Sequence, residues 1–247
     1  MRRNSSTDGK VRMRKEEKMN KNNIKLDVKK LCGMAIFVAF AIVATFLTKW
    51  LRIAHLTFDA KDAIITIAAY VYGPVSAILM SFVTPLIESI IVPDETSWYG
   101  LIMNIASTLA FSVTASYIYK KKRDINGAII GLLSATGVTT VVMLLLNMFV
   151  TPFYMQSMGV PMTVMDVVAM IPVLLLPFNM AKAIMNSAIT LYLYKPVTLA
   201  LKRANLIEGD TKTKLTLNRN SVIMMIVGLA GLVISAVTFV VLYFLNK

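Results

Sequence analysis

The sequence predicts an all-α integral membrane protein, a bundle of six helices followed by one additional transmembrane helix. Three observations predict it. Of the 247 residues, 57% are hydrophobic and only 16% charged, and the mean hydropathy is +0.67. The apolar stretches are not broken at a period of 2 or 3.6 but run on, repeatedly reaching the roughly 20 residues a helix needs to cross a bilayer. The charges, finally, are segregated. Basic residues crowd the first thirty positions, the run Lys120-Lys121-Lys122-Arg123 and residues 195–219, while acidic residues such as Asp59, Asp62, Glu88, Asp94, Glu95 and Asp166 lie mostly between. That is positive-inside patterning.

The net charge of +13 therefore reports topology, and no nucleic-acid partner is expected. Cys32 is the only cysteine, so an internal disulfide is excluded, and a small packing role suits it. The polar first thirty residues are too long for the leading region of a signal peptide, and no small-residue cleavage site follows the first apolar run; that span is expected to be retained. No Gly-rich loop ending in Lys-Ser/Thr, no metal-spaced His/Cys set and no nucleophile elbow occurs. The chain does not read as an enzyme, and neither a metal nor a cofactor is expected.

Taken in order, residues 1–30 are expected as a basic, disordered or interfacial cytoplasmic tail. The first span covers about 31–49, and a loop with Trp50, Arg52, His55 and Asp59 follows. The second, about 62–72, is short, and Gly73-Pro74 turns directly into a third that reaches about 92. The acidic turn 93–97 is expected outside. A fourth span, about 98–119, ends at the basic run; the fifth covers about 127–154 and the sixth about 167–194. Six spans place both ends of the 31–200 domain in the cytoplasm, and the protein in the cell membrane with a cytoplasmic N-terminus. A polar linker, 201–220, leads to the seventh hydrophobic run, 221–247, whose Gly228 and Gly231 suit packing against a neighbouring helix.

Polar side chains inside such spans are costly unless partnered, and they mark functional interiors. In the sixth span Asn179, Lys182 and Asn186 share one helix face, just after Pro177. Lys182 lies about twelve residues, roughly 18 Å, from the boundary at Lys195. Reaching outward into an aqueous cavity is its easier route; an ion pair with Glu88 is the alternative. Asn147 in the fifth span, Asn104 near Ser107 and Thr108 in the fourth, and Glu88 on one face with Ser81 and Thr84 in the third each need a partner, either another helix or a ligand. All lie toward the outer ends of their spans, which favours an outward-facing pocket. Trp98, Tyr99, Phe153 and Tyr154 cluster at the same boundary, as an interfacial belt or as a stacking surface for a flat ring.

Leu145-Leu146-Asn147-Met148-Phe149 and Leu176-Pro177-Phe178-Asn179-Met180-Ala181-Lys182 resemble the fifth and sixth helices of riboflavin-binding S components of energy-coupling factor (ECF) transporters. Phe58-Asp59-Ala60-Lys61-Asp62 and Tyr72-Gly73-Pro74 are similar to that family's aspartate-containing first loop and second turn, and 100–104 with the basic exit 118–122 to its fourth helix. The likeness spans about residues 31–200. It implies a six-helix S-component bundle that binds riboflavin, or a related vitamin, near the extracellular side. It also implies docking on a transmembrane coupling subunit that bears two cytoplasmic ATPases. On this resemblance Asn147, Asn179 and Lys182 become ligand contacts, joined by Asn104, Glu88 and Asp62 as candidates. Ala35, Ala39 and Gly33 in the first helix become the docking face for the coupling partner, although their small-residue spacing suits packing within the chain as well. Leu101, Ile64 and Glu88 depart from the family pattern and leave room for another vitamin. A membrane scaffold without ligand is the alternative of a different class.

Overall fold

The computed structural model describes residues 28–48, 52–53, 56–91, 98–206 and 219–245. The expectations for the tail, for Trp50 and His55, for the acidic turn with Asp94 and Glu95 and for most of the polar linker fall outside those residues. Eight helices and one small hairpin follow in order: α1 (Val28–Thr48), strands β1 (Arg52–Ile53) and β2 (Leu56–Thr57), α2 (Lys61–Tyr72), α3 (Pro74–Ile91), α4 (Trp98–Lys121), α5 (Ile125–Ser157), α6 (Val164–Met170), α7 (Leu176–Arg203) and α8 (Arg219–Leu245). The strands pair antiparallel, Arg52 with Thr57 and Ile53 with Leu56. A wide π-helical turn, Ile171–Leu175, joins α6 to α7.

Six of these segments are long and apolar enough to cross a membrane: α1, α3, α4, α5, the continuous stretch from α6 through α7 (Val164–Arg203), and the end of α8. Their large apolar side chains face outward, among them Phe40, Ile90, Leu133, Phe149 and Phe244. In water such exposure would be a liability; against lipid it is the favoured surface. The chain is a multi-pass membrane protein.

α2 is different. Its 12 residues span only roughly 18 Å, less than a full bilayer, yet it runs through the protein interior from the hairpin, beside Glu88, to the opposite end of the bundle. It sits at the centre, with Ala63, Ile65, Thr66, Ile67 and Ala68 fully buried. Polar bonds fix it there. Thr66 Oγ1 lies 3.0 Å from Ser112 Oγ of α4, and Asn186 Oδ1 of α7 accepts from the Ala63 N–H at 3.3 Å. Gly73, at φ 94°, makes the turn into α3 in a backbone region that residues with a Cβ avoid. Close packing matters as much elsewhere: a Cβ on Gly131 of α5 would lie 2.8 Å from the Ala115 carbonyl of α4, so these two helices touch backbone to backbone.

Several boundaries differ from the sequence expectation, each for a local reason. α5 begins at Ile125, ahead of the expected 127, because the Asp124 side chain accepts from the Gly127 N–H at 2.6 Å and caps it. α6 begins at Val164 because Thr163 and Asp166 form a capping box. Pro172 and Pro177 have no N–H to give, and the sixth span widens into a π turn that contains the first and ends just ahead of the second. α7 passes through Pro196 and ends only at Arg203, so it takes in the first residues expected as linker.

α8 packs antiparallel along α7. Gly231 meets Ala188 and Ile184, Ser235 Oγ donates to the Ala181 carbonyl at 3.0 Å, and Phe239 sets its edge against Phe178 at 5.4 Å and Phe58 at 5.5 Å. The added helix therefore belongs to the same buried cluster as Leu56, Phe58, Leu174 and Leu175.

Candidate ligand-binding site

Where the hairpin meets the N-terminus of α2, the end of α3 and the second turn of α7, four charged side chains lie together. Lys61 Nζ sits 2.8 Å from Glu88 Oε2 and 3.7 Å from Asp59 Oδ2. Lys182 Nζ reaches the same Asp59 oxygen at 3.0 Å. Two carboxylates and two ammoniums thus alternate in one chain of contacts, the arrangement that makes buried charge tolerable. Lys182 accordingly pairs with Asp59, and Glu88 is held by Lys61; the alternative of a Lys182–Glu88 pair is not what forms. Lys61 is 1% exposed, whereas the Lys182 side chain keeps 12%. Asp59 Oδ1 is buried with no hydrogen-bond partner.

A cavity of about 150 Å³ opens beside this chain of charges. Its wall takes Thr45 from α1, Leu56 and Thr57 from β2, Asp59, and Glu88 from α3. Tyr99, Gly100, Met103, Asn104 and Ser107 come from α4, Met143, Thr151 and Tyr154 from α5, and Phe178, Asn179 and Lys182 from α7. The wall mixes amide, hydroxyl, carboxylate and ammonium groups with two tyrosine rings. Such a set can bind a polar, partly aromatic solute by hydrogen bonds and stacking. Among the described residues no group of His, Cys, Asp and Glu has the spacing of a metal site, and none of the wall residues forms a nucleophile–base pair.

A family model for the substrate-specific component of ECF transporters matches residues 29–194, which takes in every residue of the cavity. The chain belongs to that family. It is 31% identical over 182 residues to the riboflavin transporter RibU of Staphylococcus aureus (strain TCH60), a match covering 71% of this chain and 93% of the relative. A solved structure described as the S component of a bacterial ECF transporter superposes with a TM-score of 0.58 at 30% identity, over 72% of this chain and 99% of that one. The protein is thus an S component, a transporter subunit and not an enzyme. The family model stops at residue 194, before α8 begins.

In this S component the residues expected from sequence separate into three groups. Asn104, Glu88, Asn179 and Lys182 meet on the cavity wall, with the Asn179 amide donating to the Leu175 carbonyl at 2.7 Å. Asp62 and Asn147 stand one hydrogen bond behind it. Asp62 accepts from Thr108 Oγ1 at 2.7 Å and from Ser107 Oγ at 3.3 Å, and Ser107 is the residue that reaches the cavity. Asn147 is fully buried; its amide donates to the Met143 carbonyl and its oxygen accepts from Thr151 Oγ1, at 2.7 and 2.8 Å. Of the aromatic cluster, Tyr99 and Tyr154 line the cavity while Trp98 and Phe153 are exposed.

The α1 residues form the third group. Ala35 and Ala39 are exposed, one turn apart on the outer surface. Gly33 is not with them: it faces inward, where a Cβ would land 1.9 Å from Tyr72 Oη, so its smallness serves packing inside the chain. Sequence reasoning passed over Lys61. The signal was present, since a lysine between Asp59 and Asp62 in an otherwise apolar stretch needs a reason, and its reason is Glu88.

Proposed function

We propose that this S component captures riboflavin at the extracellular side of the cell membrane and passes it inward on a transmembrane coupling subunit bearing two cytoplasmic ATPases, with its own N-terminus cytoplasmic. The single observation that carries the ligand site is the Lys182–Asp59 bond on the cavity wall, with the second Asp59 oxygen buried and unpartnered. The name of the S. aureus relative supports the flavin, and the positive-inside pattern supports the orientation.

The wall chemistry suits an isoalloxazine and its ribityl chain. The amides of Asn179 and Asn104 can each pair a donor and an acceptor with the C=O/N–H edge of the ring. Tyr99 and Tyr154 offer aromatic faces for it. Lys182 can donate to a ring carbonyl or a ribityl oxygen, and Asp59 Oδ1 can take a ribityl hydroxyl. At about 150 Å³ the cavity is smaller than pockets for ligands of this size. Entry therefore separates Lys182 from Asp59, and each then turns to the ligand while Lys61 keeps Asp59 and Glu88 compensated. Ala35 and Ala39 form the small-residue surface for the coupling subunit.

The test is purification in mild detergent, an absorbance spectrum and a riboflavin titration followed by flavin fluorescence quenching. A bound yellow chromophore, or tight quenching lost on Lys182→Ala, supports the proposal. If neither appears, the ligand is another vitamin and the flavin assignment falls.

A further inference from the structure

At the end of the bundle opposite the cavity, a second and larger opening of about 1030 Å³ lies between the first turn of α1, the end of α2, the end of α4 and the end of α7. Five cationic residues line it: Lys29 and Lys30 from α1, Lys120 from α4 with Arg123 just beyond, and Lys202 from α7. Among the described residues, none that lines it is acidic. Its floor is a tyrosine group, with Tyr70 stacked on Tyr119 at 4.2 Å and Tyr119 Oη 2.7 Å from Tyr194 Oη.

Helix electrostatics account for only part of this. Lys120 and Lys202 stand in the last turns of their helices, where cations complement the carbonyl end of the dipole. Lys29 and Lys30 stand at the start of α1, where the dipole opposes them. Five like charges around one crevice repel one another, and an anion seated among them removes the penalty. We infer that this crevice holds the phosphate headgroup of an anionic glycerophospholipid from the surrounding leaflet.

Position selects the lipid over free phosphate in solution. The cations sit at helix ends, at the depth of lipid headgroups, and the positive-inside rule assigns this end to the cytoplasmic leaflet, where anionic lipids are read by basic pockets between helices. Val28 and Leu31, which flank the two lysines of α1, are exposed apolar side chains. They offer the acyl chains a surface next to the phosphate. The neighbouring Lys121 lies over the Tyr117 ring, 4.6 Å from its centroid, and neither Lys121 nor Lys122 lines the crevice. The basic run therefore contains its own control.

The experiment uses the full chain in detergent micelles doped with phosphatidylglycerol or phosphatidylcholine, and counts retained lipid by native mass spectrometry. The wild type should keep phosphatidylglycerol and release phosphatidylcholine. The triple variant Lys120→Gln/Arg123→Gln/Lys202→Gln should lose phosphatidylglycerol affinity roughly a hundredfold, from three surface cations, while Lys121→Gln/Lys122→Gln should keep it. Retention should return with Lys120→Arg/Arg123→Lys/Lys202→Arg, which also shows that charge, not misfolding, is being read. Equal retention of the two lipids, or equal loss in both Gln variants, overturns the inference. Displacement of the lipid by millimolar inorganic phosphate assigns the site to the free anion and overturns it too. So does loss of coupling-subunit capture in the triple variant with lipid retention unchanged.

Discussion

Lys182 Nζ and Asp59 Oδ2 lie 3.0 Å apart across 123 positions of sequence, which ties the second turn of α7 to the segment that leads into α2. Removing only one partner of a buried pair leaves a charge behind and costs up to about 3–5 kcal/mol. Lys182→Ala should therefore weaken riboflavin binding at least about tenfold and lower the melting temperature; at 3.7 Å, Lys61 still faces Asp59 and keeps the chain folded. In Asp59→Asn/Lys182→Ala the melting temperature should recover and the binding should not. Quenching titrations beside thermal unfolding in detergent decide it: binding that recovers with stability would make the pair purely structural.

Phe239 of α8 touches Phe58, next to Asp59, and Phe178, next to Asn179. The helix beyond the family model's match thus braces two walls of the cavity. Phe239→Ala should raise the riboflavin dissociation rate several-fold, and adding it to Phe58→Ala should do little more, because both remove one contact. Stopped-flow release measures this. Fully additive effects would separate α8 from the site, and Phe244→Ala, exposed on the same helix, serves as the control.

Asn147 and Thr151 act as a unit, since the amide oxygen accepts from the hydroxyl that belongs to a cavity-lining residue. Asn147→Ala and Thr151→Val should weaken binding alike, by several-fold each. If the asparagine variant is far worse in the same titration, its amide turns to the ligand directly.

Lys61 pairs with Glu88 and Asp59 beside the cavity wall, so the four charges balance, and the single wall ammonium, Lys182, leaves no net positive charge for a phosphate. A neutral ribityl chain suits that balance better than a phosphate. FMN should bind more weakly than riboflavin, by about tenfold or more, and competition titrations should show the gap narrowing in Glu88→Gln. Equal affinities in the wild type would contradict this charge argument.

Ala35→Leu/Ala39→Leu places two bulky side chains on an exposed surface of α1 without touching the cavity. Riboflavin binding should be unchanged while uptake in cells with the coupling module falls several-fold. Unchanged uptake would move the docking face elsewhere.

Much of the architecture could be read from apolar run length and charge segregation, because the bilayer imposes both on a single segment at a time. The Asn179–Lys182–Asn186 face and its approach to the cavity were legible from helical spacing after Pro177. What was not legible were partners set by tertiary contact. Asn147 and Asn179 look alike in sequence, each an amide in an apolar span, but the first spends its oxygen on Thr151 within its own helix and the second reaches the cavity. Gly33 and Ala35 are two residues apart on α1, and only the rotation of that helix against Tyr72 distinguishes inner from outer. Lys61 escaped because its partner, Glu88, lies 27 residues further on across a turn that the sequence alone does not fold.

The short central helix also carries a consequence for biosynthesis. α2 brings a buried carboxylate and an unfilled backbone N–H to the membrane before the groups that satisfy them exist. Asp62 waits 45 and 46 residues for Ser107 and Thr108, and the Ala63 N–H waits 123 for Asn186. A ribosome-bound chain stopped ahead of α7 therefore holds four long spans around a core that cannot yet close. Its α2 links the outer end of α1 to the inner end of α3 with polar groups still unpaired, so it is the last helix of the family core that completes the second.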